Sequence, residues 1–155
     1  MNTPLDNLRI ITWIRAEDYP LLHTTLQQLG CSIFELDGQR ITDFPSFFSQ
    51  ARSSLPQDPP LGPYPQWDAF SDSLWGGLLA LNSALAVVIW RDVDRMFEGG
   101  IPDLFIALEC FQDVARGIAQ KAPGSTDDLS LNVFLLGKGA NFRPLSYWLP
   151  ELDEE

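Results

Sequence analysis

The chain has 155 residues, 45% hydrophobic and 12% aromatic, enough for one domain with a single sizeable core. Its 21 Asp and Glu against 10 Lys and Arg give a net charge of -11, a balance that repels nucleic acid and attracts a basic partner, part of it in the tail "ELDEE" from Glu151. No stretch reaches the ~18 consecutive apolar residues of a membrane span, and "MNTPLDNLRI" lacks the cationic start and apolar run of a signal peptide, so a soluble cytoplasmic protein is expected.

In chain order, "RIITWI" (Arg9 to Ile14) reads as a strand, β-branched and aromatic. Leu21, Leu22, Leu26 and Leu29 then recur at helical spacing from Asp18 to Leu29, and Gly30 supplies the stop, which makes a βα unit. "SIFEL" (Ser32 to Leu36) is a second strand. A short helix follows from Phe44, started by Pro45 and carrying Phe47, Phe48 and Ala51. It must end before "LPQDPPLGPYP", a loop, because proline cannot continue a helix.

A helix over Asp68 to Leu81 sets Phe70, Leu74, Leu78 and Leu81 on one stripe. Gly76 and Gly77 inside it imply either close packing or a break. "AVVIW" (Ala86 to Trp90) is a strand, and the last long helix begins at Pro102 after Gly99 and Gly100. That helix turns Leu104, Leu108, Phe111, Ala115 and Ile118 inward and leaves Glu109, Asp113 and Arg116 on a polar face. Around Gly124 the chain turns into "LNVFLL" (Leu131 to Leu136). From Lys138, with Pro144 and Pro150, an irregular packed segment leads to a frayed acidic tail.

Strands alternating with helices predict a single α/β domain built on a small parallel sheet, with the nearly all-apolar "AVVIW" and "NVFLL" at its centre. Cys31 and Cys110 lie far apart without metal-ligand spacing and read as small buried hydrophobes. His23 is the only histidine, too little for a His-rich metal site or a Ser-His-Asp system, and reads as a surface or interfacial residue. Trp13, Trp75, Trp90 and Trp148 read as core or half-core residues. Neither a cofactor nor a metal is expected.

The stretch "YPQWDAFSDSLWGG" (Tyr64 to Gly77) places Asp68 and Asp72 four positions apart among large apolar side chains, one above the other on a helix face. The helix dipole favours a carboxylate in the first turn, so Asp68 needs no function to account for it. Asp72 sits a turn further in, where Asp is a poor helix former and its like-charged neighbour is destabilising. Something other than helix stability retains Asp72, unless it merely solvates that face.

"FELDGQRITDFPSFF", "WDAFSDSLW", "VVIWRDV" and "LECFQDVA", followed by a closing apolar strand, together resemble the barstar family of ribonuclease inhibitors in the same order, over roughly Ser32 to Leu136. The resemblance implies a small parallel sheet flanked by helices that plugs the active site of a secreted basic ribonuclease while the producing bacterium still holds that enzyme in its cytoplasm. It makes Asp68 and Asp72 the two aspartates that the family presents, and Asp113 its later acidic residue, Asp here where the best-known member has Glu.

The implied partner-binding set is Asp68, Asp72, Asp113, Trp67, Gln66, Tyr64, Ser71 and Glu109. Asp72 would accept hydrogen bonds from the arginines and histidine that grip the scissile phosphate, with Asp68 and Asp113 pairing to nearby cations and Trp67 and Tyr64 filling space around them. "PLGPYPQ" replaces the family's tyrosine-and-glycine stretch, so Gln66 takes the asparagine position and Pro63 and Gly62 the aromatic ones. Residues before Cys31 have no counterpart in the compact members and form an added βα unit, most simply extending the sheet edge.

The partner expected is therefore a basic ribonuclease or related toxin, bound by a monomer, with no membrane and no direct nucleic acid. An immunity protein of the same architecture against a different basic toxin is the alternative. An enzyme would take Asp68 and Asp72 as an acid/base pair, or Glu109 and Asp113 as magnesium ligands, but has no Gly-rich phosphate loop and no histidine near them.

Overall fold

The computed structural model describes residues 10–81, 83–119 and 129–142. Arg9, the turn around Gly124, Trp148 and the segment with Pro144, Pro150 and the acidic tail lie outside the described residues. Four parallel strands, β1 (Ile11–Arg15), β2 (Ser32–Asp37), β3 (Leu85–Arg91) and β4 (Ser130–Gly137), form one sheet in the order β1-β4-β3-β2. Helices α1 (Tyr19–Gln28), α2 (Phe44–Ser54), α3 (Trp67–Leu79) and α4 (Ile101–Ala119) complete an α/β fold of the kind the sequence predicts.

The two interior strands are the two whose sequences are apolar almost throughout, because a strand covered on both faces has no water-facing side. Side chains alternate between the faces. Val87 and Ile89 of β3 join Phe134 and Leu136 of β4 and Ile14 of β1 beneath Leu22 and Leu26 of α1. Val88, Trp90, Val133 and Leu135 point to the opposite face, into the larger core closed by α2, α3 and α4. Each large side chain buried there contributes about 1.5–3 kcal/mol of transfer free energy. β1 lies at the sheet edge, paired with β4 from Ile11 opposite Val133 to Arg15 opposite Gly137.

Local chemistry sets where the helices begin. Asp43 caps α2: its side chain accepts the Ser46 N–H at 3.0 Å, while Ser46 Oγ accepts the Asp43 N–H at 3.1 Å. The Ser46 hydroxyl also donates to Asp43 Oδ1 at 2.6 Å; that bond first, and the Ser46 N–H second, hold the Asp43 carboxyl below its ordinary pKa. α3 starts one residue earlier than its apolar stripe suggests, at Trp67, and ends at Leu79 rather than Leu81. α4 starts at Ile101, which places Pro102 in its first turn where no backbone N–H is missed.

The proline-rich loop between α2 and α3 is pinned at both ends. Gln57 donates to the Arg52 and Leu55 carbonyls at 2.7 and 3.0 Å and accepts the Leu61 N–H at 3.0 Å. Ser73 of α3 donates to the Pro59 carbonyl at 2.6 Å, and its own carbonyl accepts the Asp58 N–H at 2.9 Å. Gly76 and Gly77 mark close packing rather than a break: a Cβ on either would run into the loop backbone at Asp58 or at Pro56 and Gln57. No helix among the described residues is long and apolar enough to cross a membrane.

Candidate functional site

α3 and α4 lie side by side over the sheet, joined by Phe70 against Phe111 with ring centroids 5.6 Å apart. Gly117 lets the Trp75 ring sit directly on α4, since a Cβ there would overlap it. Ser71 hydrogen-bonds the Cys110 thiol across the same seam. Burial pushes that thiol's pKa up and the Ser71 bond opposes the shift, while Asp113, Glu109 and Asp68 add to it through their charge. The charges of Asp68 on α3 and of Glu109 and Asp113 on α4 thus all act on the Cys110 thiol.

Asp68, Asp72, Glu109 and Asp113 are all exposed. Among the described residues none of the four enters an ion pair; those present involve Arg15, His23, Arg40 and Arg91 with Glu17, Asp18, Glu35 and Asp37. Asp68 and Asp72 follow each other along the outward face of α3, one turn apart. Arg116 shares the polar side of α4, but among the described residues no cation pairs with the four carboxylates, which leaves them suited to accepting hydrogen bonds from a cationic partner. No group of three or more His, Cys, Asp or Glu among the described residues is placed to hold a metal ion.

The remaining members of the predicted set separate. Ser71 is half-buried at the seam and engaged by Cys110. Trp67 is half-buried and packs on the core, where its ring meets Phe48 at 4.7 Å and Phe47 at 5.5 Å between centroids. Its position is in phase with Phe70 and Leu74, the buried stripe, and one step behind Asp68. Tyr64 stands in solvent at 93% exposure, and Gln66 is exposed immediately before α3.

Three features escape the sequence reading. Phe105 of α4 is 62% exposed, with Ile101 one turn before it and Ile106 beside it, an apolar flank to the acidic face. Gln66, Trp67 and Asp68 also line a groove of about 470 Å³ whose other wall comes from Phe44, Phe48 and Asp103. The third is a polar knot on the opposite side of the sheet. The Tyr19 hydroxyl donates to Glu35 Oε2 at 2.6 Å, the Arg91 guanidinium lies 4.0 Å from the Tyr19 ring centroid, and His23 Nε2 is 3.7 Å from the same Glu35 oxygen. Burial first, and the bond to Glu35 second, raise the Tyr19 pKa. The knot fastens α1 to β2 and β3, and Cys31 near the end of α1 is half-buried rather than buried.

The fold and this face define a class: a parallel α/β protein that offers carboxylates from two adjoining helices. The profile of the family described as Barstar (barnase inhibitor) matches residues 31–127, more than half of the chain, and the chain belongs to that family. The match begins at Cys31, leaving β1 and α1 outside it. Members of the family are inhibitors rather than enzymes. No curated protein matches the chain.

Proposed function

We propose that the chain is an inhibitor that occupies the active site of a basic ribonuclease by mimicking the bound phosphate. Asp72 takes the phosphate position and accepts hydrogen bonds from the enzyme's cationic groups, while Asp68, Asp113 and Glu109 pair with lysine or arginine around it. The observation that carries this reading is the set of four exposed carboxylates on α3 and α4, none in an ion pair with a described residue. A phosphate-binding cleft supplies the cations that they lack. The family match supports the inhibitory role, and net charge -11 supports a basic partner.

In this account the protein works as a cytoplasmic monomer that protects its producer. Residues 32–137 form the inhibitory core, with residues 1–31 an added βα unit and residues 138–155 a C-terminal segment. Inhibition of RNA cleavage by a panel of basic ribonucleases, barnase included, tests it: one equivalent of protein should abolish cleavage by at least one of them. Capture of a basic toxin without ribonuclease activity would move the reading to a different immunity target. Turnover of a phosphodiester that Asp72→Asn abolishes would replace it with an enzyme.

A further inference from the structure

The groove between the starts of α2, α3 and α4 lies beside the acidic face and shares Asp68 with it. Its floor and walls are aromatic: Phe48 and Trp67 meet at 4.7 Å between centroids, and Phe44, 46% exposed, stands edge-on to Phe48 at 6.1 Å. Two carboxylates rim it, from Asp68 in the first turn of α3 and Asp103 in the first turn of α4. Asp103 is held in place by the Phe44 N–H, which it accepts at 2.9 Å through Oδ2. Among the described residues no Lys, Arg or His lines the groove, and neither carboxylate is in an ion pair with any of them.

We infer that this groove receives an arginine side chain of the partner protein, stacked on the Phe44 and Trp67 rings and hydrogen-bonded to Asp68 and Asp103. The identity of the partner rests on the ribonuclease reading above; the chemistry of the occupant does not. An aromatic wall attracts a cation through the ring quadrupole, and a guanidinium is flat and weakly hydrated enough to lie on it while its edge donates to carboxylates. An apolar occupant would strip water from two carboxylates and return nothing to them. A lysine ammonium keeps its hydration more tightly and lacks the planar fork. Because Asp68 borders both surfaces, an arginine seated here lies next to whatever cations engage Asp72.

Titration of the isotope-labelled full chain with N-acetyl-arginine methylamide, followed by nuclear magnetic resonance at the Phe44 amide and the Trp67 indole N–H, tests the groove without any ribonuclease. The norleucine methylamide serves as the uncharged counterpart. The arginine probe should shift both resonances saturably and the norleucine probe should not. Asp103→Asn keeps an oxygen for the Phe44 N–H but removes the charge, and should weaken arginine binding roughly threefold, as for an exposed ion pair. Phe44→Ala should remove most of the remaining binding. Absence of a shift at these two resonances overturns the proposal, as does an equal response to norleucine or an unchanged affinity in Asp103→Asn. If the arginine probe binds while no ribonuclease is inhibited, the groove stands and the ribonuclease reading falls; the converse result separates them the other way.

Discussion

Gly77 of α3 and Pro56 of the preceding loop touch backbone to backbone: a Cβ on Gly77 would stand 2.6 Å from the Pro56 carbonyl oxygen. The neighbouring atoms are main chain, so they cannot swing aside as a side-chain tip would. This contact, with the two hydrogen bonds at Ser73, fixes the loop that leads into the acid-bearing first turns of α3.

Gly77→Ala should therefore destabilise the fold even though alanine gains about 1 kcal/mol over glycine in a helix interior. Overpacking against backbone costs about 1–3 kcal/mol or more, which outweighs that gain. Urea denaturation should show a lower midpoint for Gly77→Ala, and a midpoint equal to or above the parent protein's would mean that the loop is free to move off α3.

Asp43 predicts a pH dependence. Its folded pKa is depressed by Ser46, so the stability that its ionised form adds is fully present above the ordinary carboxylate range and is lost as pH falls through the lower folded value. Asp43→Ala removes the cap of α2 and should cost about 1 kcal/mol at neutral pH. The gap between Asp43→Asn and the parent protein should be largest near neutrality and close as acid protonates Asp43. Denaturation at a series of pH values measures it, and a gap that widens in acid would reverse the sign of the argument.

Much of the fold is legible in the sequence because burial on two faces and burial on one leave different patterns. The unbroken apolar runs of β3 and β4 mark the interior strands, and the period of α4 marks its buried stripe. The exposure of Asp68, Asp72, Glu109 and Asp113 follows from the same helical period. Adjacency and residue type mislead. Trp67 lies next to Asp68 in sequence yet turns to Phe47 and Phe48, in phase with the buried Phe70 and Leu74. Phe105 is apolar yet outward, because Leu104 and Leu108 already fill the inward arc of α4. The knot of Tyr19, Glu35 and Arg91 brings together residues from α1, β2 and β3 that only strand pairing makes neighbours, through Asp37 opposite Arg91. No local pattern announces it.

Association with a basic partner should be electrostatically steered. Salt screens exposed charges over about 8 Å at physiological ionic strength, so the association rate should fall as salt rises while dissociation changes less. Stopped-flow mixing at several salt concentrations reads this directly. A rate constant independent of salt would show that the acidic face does not guide the encounter.

The central claim is that Asp72 is the phosphate mimic, and dissociation constants for Asp72→Ala, Asp68→Ala and Asp113→Ala against an inhibited ribonuclease test it most directly. Removing a carboxylate that satisfies several cations strands them in the interface, a loss of roughly 2–5 kcal/mol or more than about thirtyfold in affinity, while the carboxylates at the rim cost about 1 kcal/mol or less each. Asp72 is exposed in the free protein and repels Asp68 one turn away, so its loss should leave the thermal midpoint equal or slightly higher. The account predicts weak binding with a sound fold for Asp72→Ala alone. Parent-like affinity for that variant, or unfolding of Asp72→Ala while Asp68→Ala stays folded, would contradict it and place the interface elsewhere.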